Sequence, residues 1–408
     1  MKKWLCLLMV FVISLVPELA KAETTVKVAF IRDGYVWTWI NGKEERITTE
    51  ASAYHFDPQW SYDGKYILYQ IENKSPNDNE IWVFNLETKQ HKLIATGGTN
   101  PKWSPVENIV AFKIGGVLNV SNLEQFYNIA LGIGDYEWFP DGQSFIASSK
   151  SLLRPDGWTN LNLYQIHLEK ELDKMTSLTK NVKHLYTLPN ELNKGDISLL
   201  AINASKFRFS PDSKWISFMV SPTASWSMDS DMVCVISSDG KKFEALDEVI
   251  LHLEDPKWAP NKNLLGYIAG GGRIVFGFKN KELNITEMPV FQSRSLTPAN
   301  FAELGFTWRN DDSLIVSRVK ESEWTNDPQK RPDPTLYLIK IGAQMQVQIS
   351  DPPKNYGDFQ PNFLPSANKI TWYRKKDFAD LDGDLWMADP DGKNAKVWIK
   401  KISGYDFY

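Results

Sequence analysis

One heptapeptide-like phrase recurs along this chain, and it leaves few folds open. Its clearest copy is Phe56-Asp57-Pro58-Gln59-Trp60-Ser61-Tyr62-Asp63-Gly64-Lys65. Variants follow at Asn100-Pro101-Lys102-Trp103-Ser104-Pro105, at Tyr136-Glu137-Trp138-Phe139-Pro140-Asp141-Gly142 and at Phe207-Arg208-Phe209-Ser210-Pro211-Asp212. Asp255-Pro256-Lys257-Trp258-Ala259-Pro260 is a fifth copy. Phe306-Thr307-Trp308-Arg309-Asn310-Asp311 and Gln360-Pro361-Asn362-Phe363-Leu364-Pro365 are degenerate ones. The aromatic anchors are therefore Trp60, Trp103, Trp138, Phe209, Trp258, Trp308 and Phe363. Much of the chain's complement of 16 tryptophans marks this repeat or the loops between its copies. The anchors recur every 35–55 residues, except for the 71 between Trp138 and Phe209, where residues 169–205 are expected to be a polar insertion without an anchor; such a period is the signature of a repeat architecture.

The grammar after each anchor is constant. A Pro-Asp-Gly type turn reverses the chain, because Pro pre-sets one corner and Gly accepts positive φ. A short apolar strand follows, such as Tyr66-Ile67-Leu68-Tyr69 or Trp215-Ile216-Ser217-Phe218. A loop of variable length leads to a second run, such as Ile81-Trp82-Val83-Phe84, and a more polar third strand closes the unit. β-branched and aromatic runs between turn signals are strands, and no long helical period is visible. The expectation is an all-β chain: a single β-propeller of eight four-stranded blades, with seven as the alternative. Val28–Ile31, Tyr35–Trp39 and Arg46–Thr48 precede the first anchor, and Gly404–Tyr408 ends the chain like an inner strand with nothing after it. The two ends are expected to share one blade.

Residues 1–22 read as a signal peptide, with Lys2 and Lys3, an apolar run from Trp4 to Val16, and Ala20-Lys21-Ala22 as a small-x-small cleavage site. The run is too short to span a bilayer, and no other stretch is long enough. The propeller is assigned to residues 23–408, exported to the periplasm, the cell wall or the medium. Cys6 leaves with the signal and Cys234 stays alone, so no internal disulfide is available. The net charge of −4 grows more negative once Lys2, Lys3, Lys21 and Glu18 are removed. This argues against nucleic acid as the partner. A monomer is expected.

The motifs at Phe56–Tyr69 and Phe207–Phe218 resemble the TolB-like, WD-like propeller repeats, and the resemblance extends over the mature chain. It implies a propeller fold and an extracytoplasmic location, and leaves the ligand open. Similar repeats precede the hydrolase domain of prolyl-oligopeptidase-like enzymes, but the Gly-x-Ser-x-Gly elbow of that chemistry is missing from this sequence.

Three long loops between strands carry a tryptophan each: Trp158, Trp226 and Trp324. Equivalent loops of a propeller emerge on one face, with Arg154, Arg318, Arg331 and Arg374 nearby in sequence. Loops on a rigid scaffold are where ligands are usually met, and Trp and Arg are typical anchors. Trp158, Trp226, Trp324, Arg154 and Arg318 are thus candidate ligand contacts, or else the tryptophans fold back as lids. Asp380, Asp382 and Asp384 alternate in a loop that offers calcium oxygen ligands, or form a turn. The five histidines show no metal spacing. No other cofactor is expected. The leading functional reading is a non-enzymatic binding or scaffold protein for a protein, peptide or cell-envelope glycan. The alternative is a polysaccharide hydrolase or lyase using Asp57, Asp135, Asp255 or Asp358 near the axis.

Overall fold

The computed structural model describes residues 26–54, 56–222, 230–250, 253–271 and 277–408. Trp226 lies outside these residues, as does the expected signal segment. Among the described residues, strand pairing resolves into antiparallel four-stranded units with the same order. The unit after the first anchor shows it. Gln59–Trp60 pairs with Tyr66–Glu72, which pairs with Glu80–Asn85, which pairs with His91–Thr96. Seven units of this type follow one another, and two of them are bridged by the single pair Val249↔Ala269.

The remaining unit joins the two ends of the described chain. Lys43–Arg46, Tyr35–Ile40 and Lys27–Arg32 form three strands, and Gly404–Phe407 adds the fourth. The register is Val28↔Phe407, Ala29↔Asp406, Phe30↔Tyr405 and Ile31↔Gly404.

Each second strand is buried on both faces, as in Trp215–Ser221 and Ser313–Lys320. This explains why these strands read as continuous apolar runs and lack the alternation of a half-exposed sheet. The apolar clusters account for the burial, because they join consecutive units. Ala29 and Val36 meet Trp60 and Ile67. Leu68 and Ile81 meet Trp103 and Phe112. The series runs on around the molecule until Leu385 and Ile399 meet Val28 and Phe30. Sheets packed face to face and returning to the first are a β-propeller.

The anchors also make a polar link. Trp60 donates its indole N–H to the carbonyl of Asp406 at 3.2 Å, Trp103 to Gln59 at 3.2 Å and Trp138 to Lys102 at 3.4 Å. Trp258 donates to Arg208 at 3.1 Å and Trp308 to Lys257 at 2.8 Å. In every case the acceptor is the residue just before the aromatic position of the preceding unit. A phenylalanine at the anchor has no such donor, and Phe209 packs instead on Phe139 with ring centroids 4.6 Å apart.

The turn after the anchor is fixed by its own side chains. Ser61 Oγ accepts from the N–H of Tyr66 at 3.0 Å and donates to Asp63 Oδ1 at 2.8 Å. Ser210 and Asp212 repeat the arrangement. Gly64 takes φ +65°, and Ser213 holds the same left-handed position at +59°.

The segment 169–205, expected to be a polar insertion, divides into two parts. Val182–Thr187 is the outer strand of its unit. Glu191–Lys194 and Ile197–Leu200 form a separate hairpin whose Leu192 and Leu199 are buried against the neighbouring unit. Leu192 is isolated among polar residues, whereas Leu199 lies in the apolar run Ile197-Ser198-Leu199-Leu200-Ala201-Ile202.

Candidate functional site

The inner strands run along the axis, and their side chains alternate. The residue two before each anchor turns into the sheet packing; Tyr136, Phe207 and Phe306 are fully buried. The residues one and three before the anchor turn the other way, into a cavity of about 690 Å³. Asp57 and Gln59, Asn100 and Lys102, Asp135 and Glu137, and Lys206 and Arg208 all line it, with Asp406 and the rings of Trp60, Trp103 and Tyr405. The volume is that of a small-ligand site.

One side of this cavity is a closed network of ion pairs. Glu137 Oε2 lies 2.9 Å from Lys102 Nζ and 3.2 Å from an Arg208 nitrogen. Asp255 pairs with Lys206 at 3.4 Å and with Arg208 at 3.8 Å. Asn100 donates to Asp135 Oδ1 at 2.7 Å, and the backbone N–H of Lys206 to Asp135 Oδ2 at 3.3 Å. Every carboxylate on this side has a cation or two donors.

The opposite side differs. Asp406 accepts the backbone N–H groups of Trp60 and Phe407, each at 2.9 Å. Asp57 lines the same cavity, exposed toward it and walled by protein on its other sides. Neither has an ion pair among the described residues. Burial, with the nearby charge of Asp406, pushes the Asp57 carboxyl up to about 6. Burial likewise raises Asp406 to about 6, against the pull of its two N–H donors. Raised carboxyl values in a cleft are a mark of functional sites.

The other expected contacts lie elsewhere. Trp158 belongs to a short hairpin, Leu153–Arg154 with Gly157–Trp158, where it faces Leu153 across the pair. Arg154 is exposed there. Trp324 turns back onto the sheets: its ring centroid is 6.0 Å from Phe278 and 5.6 Å from Phe378. Arg331 stacks on it at 4.1 Å and pairs with Asp377 at 2.8 Å. Arg318 is buried within its unit, its guanidinium bonded to Glu303 and to Gln346 and stacked 4.9 Å from the Tyr337 ring centroid. Asp358, expected near the axis, is fully buried within its sheet, where Arg374 and the indole of Trp372 bind its carboxylate at 2.7–2.8 Å. Asp57 and Asp135 do line the cavity, and Asp255 joins its ion-pair network through Lys206 and Arg208.

Asp380 accepts the N–H of Asp377 and Asp384 that of Lys401, while Asp382 is exposed. No group of three or more metal-ligating side chains forms among the described residues. Glu137, Lys206, Arg208 and Asp406 were missed as site residues. The signal was present: each stands one or three positions before an aromatic anchor, or before Phe407, which holds the anchor place in the closing strand.

No protein-family model matches this chain, and no curated protein is similar to it in sequence. Solved structures are similar in fold. Dipeptidyl peptidase 4 from Porphyromonas gingivalis aligns at a TM-score of 0.53 and 9% identity, over 91% of this chain and 56% of its own. A puromycin-hydrolyzing peptidase from Mycobacterium tuberculosis aligns at 0.51 and 13%, over 85% and 53%. The chain thus spans about half the length of these peptidases. TolB from Acinetobacter baumannii aligns at 0.38 and 11%, over 94% and 67%, too loosely to carry an argument. At such identities the likeness is one of fold alone.

Proposed function

We propose that this chain is an exported, non-enzymatic binding protein in which eight units form one ring, and that its ligand enters the mouth of the central channel. The ligand class is a protein segment, a peptide or a cell-envelope glycan. The observation that carries this reading is the 690 Å³ cavity at the inner strands, where charged and aromatic side chains from at least five units converge. The tryptophan loops make a poorer site, because Trp324 and Arg318 are occupied by packing.

The test uses the buried position of Cys234. Arg208→Cys offers a maleimide an accessible thiol in the channel, and a bulky label there plugs it. Immobilised protein is presented with peptide and cell-wall oligosaccharide libraries. Plugged protein is expected to lose capture, and Trp158→Ala protein to keep it. Equal capture by plugged and open protein would sink the channel as the site.

A second reading is favoured by one observation. Carboxyl groups held near 6, as at Asp57 and Asp406, are suited to general acid–base work on a polysaccharide. Release of new sugar ends near pH 5.5, lost in Asp57→Asn, would support that reading over simple binding.

A further inference from the structure

Each four-stranded unit ends in an outer strand. The N–H and C=O groups along such an edge invite pairing with another strand, and charged side chains and β-bulges are the usual guards against it. Among the described outer strands all but one are guarded. Lys43–Arg46 and Gln292–Ser295 carry charged side chains. His91–Thr96, Val182–Thr187, Phe243–Ile250 and Lys396–Ile402 carry both charge and a register shift against the strand inside them. Phe126–Ala130 is uncharged but has the shift, and Phe126 packs its ring against Phe112. Met345–Gln348 has neither guard. It pairs with Thr335–Lys340 in unbroken register, it is exposed at every position, and no charge occurs from Ile341 to Ser350. The N–H of Ile349 donates to the carbonyl of Leu336 at 2.8 Å. Met345, Val347 and Ile349 therefore turn their main-chain groups inward, and Gln346 and Gln348 turn theirs outward. The side chain of Gln346 is bonded to Arg318 and to the carbonyl of Leu296, which fixes the strand in place.

We infer that Met345–Gln348 is an interface at which a second copy of this chain pairs, antiparallel and with two-fold symmetry about Val347. In that register Gln346 lies opposite Gln348 of the second copy on both sides of the axis, and their outward main-chain groups exchange hydrogen bonds in both directions. Met345 lies opposite Ile349, and Val347 opposite its own image. Apolar side chains thus meet apolar ones, and Met345 and Val347, 37% and 44% exposed, lose contact with water. The strand is complementary to itself. A two-fold contact uses the same patch on both copies and closes after two, so a charge at its centre would face a like charge. An uncharged centre, with amide and apolar positions mirrored about one residue, is what self-pairing requires and what a foreign strand would not. An edge of 4 residues is a small contact, in the class of weak associations. The monomer expected from the sequence therefore persists in dilute solution.

Sedimentation velocity from about 1 μM to about 500 μM protein tests the pairing, with deuterium exchange of segment 341–350 as a second readout. The parent is expected to pass reversibly from monomer to dimer as concentration rises, and the segment to exchange more slowly as it does. Val347→Lys and Val347→Glu alter an exposed side chain and should melt like the parent. Each sets like charges against one another across the axis, and each alone is expected to dimerise about tenfold more weakly or worse. An equimolar mixture of the two sets opposite charges across the axis and is expected to restore the dimer, which also shows that both variants are folded. A parent that stays monomeric throughout, single variants that dimerise as the parent does, or a mixture that fails to recover would overturn the self-pairing. In the first case, protection of the segment by an added extended peptide would assign the edge to a foreign strand.

Discussion

Trp308 donates its indole N–H to the carbonyl of Lys257 at 2.8 Å, the shortest of the indole links between units. Trp308→Phe keeps the ring in its apolar cluster and removes only the donor. The natural phenylalanines at 209 and 363 show that the position accepts the change. The variant is expected to fold and to lose about 1 kcal/mol, the net worth of one hydrogen bond. Urea midpoints of variant and parent measure it; an unchanged midpoint would show that the link is idle.

Removal of residues 404–408 takes away more than one strand. It strips the inner edge from Lys27–Arg32 and removes Tyr408, whose ring lies 5.7 Å from Trp60 and over Gly64. The thermal midpoint is expected to fall by several degrees or more, with a broader transition, in calorimetry. A sharp transition at the original temperature contradicts the closure.

The two raised carboxyls set a pH dependence of definite sign. In the unfolded chain an Asp titrates near 3.8; in the fold Asp57 and Asp406 do so near 6. The native state therefore holds these protons more tightly. Their contribution to stability is greatest below about pH 4 and is lost as the pH rises through 6. Asp57→Asn should raise the melting temperature at pH 7.5 and leave it nearly unchanged at pH 4. A lower midpoint at pH 7.5 would count against this account.

Arg318 and Glu303 form a pair closed to solvent, with side chains 2% and 0% exposed. Burial raises the Glu303 carboxyl in spite of the arginine's pull. Arg318→Ala leaves that acid without its counter-charge and is expected to cost about 3–5 kcal/mol. Changing both residues to leucine should recover most of the loss. Urea denaturation of the three variants decides it, and a double variant no better than Arg318→Ala would refute the reasoning.

Trp324→Ala should lower stability by about 2 kcal/mol, since it removes a partly buried ring and the face on which Arg331 stacks. Ligand capture should be unaffected. Capture lost in a variant that melts normally would return Trp324 to the binding surface.

The fold was legible because its signals are local. Ser61, Asp63 and Gly64 make their own turn, and Trp60 meets a carbonyl that the repeat itself supplies. The site was less legible because its contents depend on distant partners. Trp324 is turned inward by Phe278 and Phe378, each some 50 residues away in sequence. Asp358 looks like an axial acid until the register sets Arg374 opposite it. Asp406 becomes a channel residue only when the last strand pairs with the first. What sequence did offer, unused, was the alternation before each anchor, which assigns Glu137 and Arg208 to the channel without any structure.

The anchors also imply an order of events in time. Phe363 and Phe407 occupy consecutive anchor places, so two successive junctions, flanking the unit of Gly357–Leu364, are held by apolar packing without an indole link. The second of them borders the unit in which the first and last described strands pair. Amide protons of Lys27–Arg32 and Gly404–Phe407 should therefore exchange with deuterium before those of Val110–Ile114 or Ser144–Ser148, through partial openings that leave the rest of the ring intact. A ligand in the channel that touches Asp406, on the closing strand, would slow the exchange there.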